Sequence, residues 1–554
     1  MKTMVLLGVL CGGAFAQNSA YDRFFSDYFF RYSPTQGTSA GLHQYDSQLE
    51  DYSRKNVEAQ IRDAKRLEKA FAKLPPSDDR DLVLGRLRAD VLALRDIRMW
   101  EKNPDSYSSG ITFSIFTIMS RKFAPEADRM RSVIAREKAI PAALEDAKAN
   151  LKNPPKIYTE VALEQLPGII GFFRKDVPAA FPGVKDSSLL AEFRQANEAA
   201  AGALEKYQEF LKNDLLPRSH GDFRLGAANY RKKLLYEEMV DTPLAELLKV
   251  GYANLRENQR AMKDAAARID PTRDPAAVLA DLMKDHPAPD ELVASVSNTL
   301  SGLREFIETR HIVGIPSQVL PTVEETPPFM RALTSASMDT PGPYEKVATE
   351  AFFNVTPPEK DWPKERIEEH MQSFGRAELT TLAVHEAYPG HYVQFLWVPR
   401  APSEAKKILG AGTNVEGWAH YCEQMMLDEG FGNGDPKLRL AQIADALLRN
   451  ARYIVGVEMH TGNMTFDQGV DFFVKEGHTT RELALVETKR GTSDPTYLMY
   501  TLGKLEILKL REDYKKKQGA AFTLEGFHNE FLKQGFPPIK IVRRNLLGAE
   551  GSAL

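Results

Sequence analysis

From about Tyr21 to His311, apolar residues recur three and four positions apart in long segments that stop at proline-containing breaks. That spacing gathers them on one face of a 3.6-residue helix, which commits this stretch to helix-on-helix packing. Asp79 to Trp100, Asp186 to Leu216 and Thr242 to Ile269 read as helices, separated by Pro75-Pro76, Pro154-Pro155 and the stretch from Pro287 to Pro289. Asp-Ser-Ser opens the second. Thr242 before Pro243 opens the third, because a capping oxygen satisfies a free amide and proline suits the first helical turn. Between about Ile312 and Pro358 the texture turns to Pro, Thr and Ser, with β-prone runs at Ala332 to Met338 and Ala351 to Val355. A small sheet is expected there. Beyond Pro363 helical spacing returns and carries six of the eleven histidines, between His370 and His478. The chain is therefore expected to be mainly α, with a helical region at 17–311, a second region at 312–554 bearing the sheet, and a deep cleft between them.

Hydrophobic residues make up 43% and charged residues 27% of the 554, the balance of an ordinary globular protein with a large core. Lys and Arg total 72 against 76 for Asp and Glu, a net charge of −4. Without a basic excess, nucleic acid is not an expected partner. Short basic runs at Lys515, Lys516, Lys517 and at Arg543, Arg544 read as solvated faces. The opening M-K-T-M-V-L-L-G-V-L-C-G-G-A-F-A-Q has a basic start, an apolar stretch and a small-x-small site. It reads as a signal peptide at 1–16 cleaved after Ala16, which places the protein in the periplasm or outside the cell. Leu10 before Cys11 argues against a lipid anchor, where a small residue is expected. Cleavage leaves Cys422 alone, so no intramolecular disulfide forms. No other stretch reaches the ~18 apolar residues that span a bilayer.

The chemistry concentrates in T-L-A-V-H-E-A-Y-P-G-H-Y-V-Q-F-L, residues 381–396. Helical zinc hydrolases place two histidines four apart, so that both face one metal and the Glu after the first His lies beside the attacking water. Here His385 and His391 are six apart. On an unbroken helix that offset turns the second roughly 120° away from the first. Tyr388-Pro389-Gly390 between them permits a bulge that swings His391 back, since proline removes a helical hydrogen bond and glycine accepts unusual dihedrals. A third ligand is available in N-V-E-G-W-A-H-Y-C-E-Q-M-M, residues 414–426, where Glu416, His420 and Glu423 share one helical face. Glu416 is the expected ligand, because two His and one carboxylate leave a tetrahedral zinc one open position. His420 and Glu423 then orient a ligand from behind. In D-P-T-Y-L-M-Y-T-L-G, residues 494–503, Tyr497 and Tyr500 are candidates to donate to a tetrahedral oxyanion.

H-E-A-Y-P-G-H followed by E-G-W-A-x-Y-x-E resembles the family catalogued as domain of unknown function 885. The resemblance runs along most of the chain, from Tyr21 to F-H-N-E-F-L-K-Q-G-F-P-P near Phe527. That family is similar to the helical thermolysin-like (gluzincin) zinc metallopeptidases, and the resemblance implies a multi-helical zincin-like architecture. V-E-G-W-A at 415–419 is similar to the N-E-G-F-A-like motif whose Glu ligates zinc, which supports Glu416. The resemblance also favours Tyr500 over Tyr497. It marks Arg452 and His460, in L-L-R-N-A-R-Y-I-V-G-V-E-M-H-T-G, as residues that touch substrate. The planar fork of Arg452 suits a peptide carboxylate, and equally an ion pair to Glu458 or another structural carboxylate.

The expected activity is thus peptide hydrolysis by a zinc-activated water, with Glu386 as general base and then proton donor to the leaving amine. A zinc hydrolase of another amide or a cell-wall fragment is the nearest rival. A non-catalytic metal-containing binding protein is the other, and Glu386 argues against it, since a structural zinc has no use for a base beside its ligand.

Overall fold

The computed structural model describes residues 20–331, 335–462, 464–552 and 554. The signal segment at 1–16 and Cys11 lie outside them, as do the first three residues of the β-prone run from Ala332. The chain forms two compact units, one running to Asp222 and including Tyr344–Ala348, the other comprising Phe223–Pro343 and Thr349–Leu554.

The first unit is helical among its described residues. Its long elements include Arg54–Phe71, Asp78–Val91, Glu126–Asn150 and Ser187–Phe210. Ser53, Ser77 and Asp186 cap three of them by accepting amide protons with their side chains, as short polar side chains at helix starts do. The segment expected to run unbroken from Asp79 to Trp100 does not. Its last turn widens at Leu92–Ile97, and Arg98 takes a left-handed conformation at φ 59°. In the second unit, Leu244–Ile269 starts after Pro243, and no side chain caps it, so the role expected of Thr242 is not filled.

The sheet of the second unit has the order β1-β3-β2, with β1 at Thr322–Glu325, β2 at Ala336–Asp339 and β3 at Phe352–Val355. β3 pairs in parallel with β1 and antiparallel with β2. Phe353 and Val355 of this central strand are fully buried and join a core with Ala383, Val384, Trp418, Tyr421 and Phe531. The sheet thereby fixes one side of the helix that carries His385. No helix among the described residues is long and apolar enough to cross a membrane.

Glu137 of Glu126–Asn150 is fully buried, and neither carboxylate oxygen has a hydrogen-bond partner. Burial pushes its carboxyl up to about 9. The folded chain therefore keeps a proton there that the unfolded chain, titrating near its ordinary value, releases. The associated stability is full below the unfolded pKa and is lost as pH rises toward 9. Glu137→Gln, which mimics the protonated acid, is expected to raise the melting temperature of the first unit by several degrees at pH 8 and to change it little at pH 4. Calorimetry at the two pH values checks this.

Candidate metal centre

The helix Arg376–Glu386 ends immediately after the His-Glu pair, and a new helix, His391–Trp397, begins at the second histidine. The expected bulge is thus a complete break over four residues, with a cis peptide at Tyr388-Pro389. Two interactions hold it. The amide of Gly390 donates to the Val384 carbonyl at 3.0 Å, an approach so close that a Cβ on residue 390 would lie 1.8 Å from the carbonyl oxygen of His385. Only glycine fits. The indole of Trp418, fully buried on the facing helix Gly412–Asp428, donates to the Pro389 carbonyl at 2.9 Å. Gln394 joins the same pair of helices through Asn414 at 2.9 Å.

The break brings His385, His391 and Glu416 together, with one ligand atom from each lying within 4.8 Å of the others. Glu416 Oε2 is 3.5 Å from His385 Nε2 and 3.3 Å from His391 Nε2. Two ligands about 2.0–2.1 Å from a shared tetrahedral ion sit roughly 3.3 Å apart, so these separations suit one. Oε2 is buried and accepts no hydrogen bond, the condition of a lone pair that a cation would satisfy. Burial pushes the Glu416 carboxyl up, but the charges of His391 and His385 outweigh it and hold it well below the carboxylate range. The group can therefore hold a metal. Its side chains are 6%, 10% and 22% exposed in the order His385, His391, Glu416, so Glu416 is the most open of the three.

Glu423 stands behind His385 and is completely buried. It accepts from His385 Nδ1 at 2.7 Å, from His420 Nδ1 at 2.9 Å and from Arg449 at 2.9 Å. Burial raises its pKa, yet the Arg449 charge and the two histidines bring it well below the usual range. An ionised Glu423 fixes the proton of His385 on Nδ1 and leaves Nε2 free to bind a metal. Arg449 is held in turn by Asp445 at 3.1 Å. Burial and the Lys504 charge push His420 down to about 3, so it serves as a neutral donor. Glu386 follows His385 at the helix end. It is 8% exposed and makes no hydrogen bond or ion pair with another described residue.

Tyr500 reaches the group because two helices touch through backbone. Gly417, next to Glu416, meets Gly503 of Met499–Gln518 so closely that a Cβ at 503 would fall 1.9 Å from the Thr413 carbonyl. One turn before that contact, the Tyr500 ring stacks on His385 at 6.3 Å between centroids. Burial and the Glu416 charge push its hydroxyl up to about 12, so it keeps its proton. Arg490 donates to that hydroxyl oxygen at 3.1 Å, which leaves the hydroxyl hydrogen free to point elsewhere.

The other residues singled out in the sequence take different partners. The fork of Arg452 closes on Glu487 at 2.7 and 2.8 Å, while its guanidinium lies 5.0 Å from the Tyr500 ring centre. The carboxylate it holds is Glu487 rather than Glu458. Tyr497 is fully buried against Gly456 and Gly491. His460 bonds the Gly491 carbonyl at 2.8 Å and packs on Phe223 and Tyr230. Arg449, Glu487 and Arg490 did not stand out in the sequence, since each is one charged residue among many until its partner is known. Cys422 is a buried free thiol.

The chain belongs to the family described as "Bacterial protein of unknown function (DUF885)", which it matches over residues 34–546. Among solved structures it is similar to one described as a "putative lipoprotein of unknown function from Shewanella oneidensis". The two are 27% identical, with a TM-score of 0.77 over 95% of this chain and 99% of that one. It also shares its fold with "the putative lipoprotein from Colwellia psychrerythraea", at 17% identity and a TM-score of 0.79, over 94% and 96% of the two chains. No curated protein matches it.

Partners behind a ligating histidine typically contribute about 10–100-fold in metal affinity. Glu423→Gln is accordingly expected to weaken zinc binding by about that factor while the helices persist, which titration calorimetry and circular dichroism together would measure.

Proposed function

We propose that this chain is an exported zinc hydrolase of the gluzincin kind that cleaves peptide bonds. The observation that carries the reading is the convergence of His385 Nε2, His391 Nε2 and Glu416 Oε2, with Glu386 next to His385 at the helix end. Two imidazoles and one carboxylate are a donor set that suits zinc and leaves a position open for substrate chemistry. Export is supported by the signal-like opening of the sequence and by the description of similar proteins as lipoproteins.

When bound, zinc supplies a Lewis acid that polarises the scissile carbonyl and lowers the pKa of a water molecule. Glu386 takes the proton of the attacking water and delivers it to the amine that leaves. Tyr500 donates its hydroxyl hydrogen to the oxyanion as negative charge develops, a contribution worth about 2.7–4 kcal/mol for one such donor. Arg490 occupies the acceptor side of that hydroxyl and so directs the hydrogen. Arg452 backs the Tyr500 ring with its charge fixed by Glu487. Tyr497 and His460 serve the site by packing the helices that carry Tyr500 and Arg452. An extended peptide is the substrate, and the edge strands of the sheet offer backbone groups to which it can pair.

For the mature protein and Glu386→Gln, zinc is expected in both and cleavage of a peptide library in the wild type alone, read by metal analysis and mass spectrometry. Zinc without cleavage in either points to another amide substrate or a binding role, and no zinc in either overturns the site. Tyr500→Phe is expected to lower kcat by about 100-fold or more with little change in KM. An unchanged rate in steady-state kinetics would move the oxyanion role elsewhere.

A further inference from the structure

The near-balance of charge over the whole chain conceals a local segregation on the first unit. Helix Arg54–Phe71 buries Val57, Ala64 and Phe71. On its outer side, Arg62, Lys65, Arg66 and Lys69 recur three and four residues apart, and Lys73 continues the line just past the helix end. At 100° per residue these five fall on an arc of about 100°. Together with Ala70 they line a shallow open groove of about 500 Å³.

The acids of this helix are mostly spent elsewhere. Asp63 accepts from Tyr32 at 2.7 Å and from Arg66 at 2.9 Å, and Glu68 accepts from Arg88 at 2.8 Å. Glu58, one turn before Arg62, is the acid that shares the arc. The side chains of Arg62, Lys65, Lys69 and Lys73 form no ion pair or hydrogen bond with any described residue. Arg31, 60% exposed, pairs with the same Asp63 at 3.7 Å. A helix that needed only solubility would interleave both signs along its exposed face. This one turns Asp63 and Glu68 toward partners, Arg66 among them, and leaves Arg62, Lys65, Lys69 and Lys73 without an ion pair to any described residue.

We propose that this stripe docks the protein on an anionic lipid surface through the phosphate groups of the lipids. The stripe carries no aromatic residue on which bases could stack and no large apolar anchor of the kind that dominates protein interfaces. It has no buried donor that would select one small anion. Long, mobile cationic side chains on an open face suit a plane of many phosphates, where each basic residue near the surface contributes about fivefold in partitioning. The proposal is independent of the metal centre.

The test is co-sedimentation of the mature protein with vesicles of equimolar phosphatidylglycerol and phosphatidylcholine, and with vesicles of phosphatidylcholine alone. Binding is expected to the first only. It should be lost when salt rises from about 0.1 M to about 1 M, where the screening length falls from about 10 Å to about 3 Å. Arg62→Glu with Lys65→Glu and Lys69→Glu should lower it by on the order of a hundredfold or more. The charge-preserving pair Lys65→Arg and Lys69→Arg should retain it, and so should reversal at Lys212, Lys515 and Lys516, which are not part of the stripe. A thermal melt shared by the variants and the wild type establishes that all are folded. Absence of binding, equal binding to phosphatidylcholine, or a stripe variant that binds like the wild type overturns the proposal. Capture by soluble polyphosphate without capture by vesicles overturns it as well, because the occupant is then not a membrane.

Discussion

The second unit turns on a carboxylate that touches no solvent. Glu423 is ionised in a completely buried position, which is sustainable only because His385, His420 and Arg449 all donate to it. Those donors come from three helices, so neutralising one charge fixes how the helices face one another. The same arrangement decides which nitrogen of His385 is available. With Nδ1 committed to Glu423, Nε2 is left pointing toward Glu416 and His391. Asp445 extends the network beyond Arg449, and the guanidinium of Arg449 also lies 5.8 Å from the centre of the Tyr500 ring. The possible metal group is thus the front of a charge network whose back is in the core.

The second constraint is steric. The histidines are six positions apart, a spacing that a continuous helix cannot use for one metal. The chain ends one helix at Glu386 and starts another at His391, and the break is tolerated because its backbone groups find partners in Val384 and Trp418. Trp418 lies two residues beyond Glu416, so the helix that supplies the carboxylate also holds the break that positions the second histidine. The Gly417–Gly503 contact does the corresponding work for Tyr500. In both places a missing side chain lets backbone approach backbone, and a functional side chain is carried into reach.

Much of this was legible from the residues alone. Apolar spacing announced a mainly helical chain, the shift to Pro, Thr and Ser with short β-prone runs announced the small sheet, and the paired motifs identified His385, His391 and Glu416 as residues that would meet. Glu423 was readable as a partner behind them because it shares a helical face with Glu416. The limits are as specific. Thr242 looked like a cap and is not one, and Asp79 to Trp100 looked continuous but turns at Arg98, where a left-handed residue leaves no mark in periodicity. The fork of Arg452 suited a substrate carboxylate or a structural one, and only the packing shows Glu487 in its grasp. The basic stripe of the first unit was hidden because composition sums charges that the fold sorts onto different faces.

The sequence by itself determined the helices, the place of the sheet and the types of chemical group brought to the site, because these follow from local periodicity, from cap and break residues, and from motifs a few residues long. Only the tertiary structure decided which nitrogen of His385 faces Glu416, that Arg490 serves the hydroxyl of Tyr500, and that Arg62, Lys65, Lys69 and Lys73 find no ion pair among the described residues. Those outcomes depend on hydrogen bonds and ion pairs between residues far apart in the chain, or on their absence. The choice among many chemically equivalent partners is made by packing.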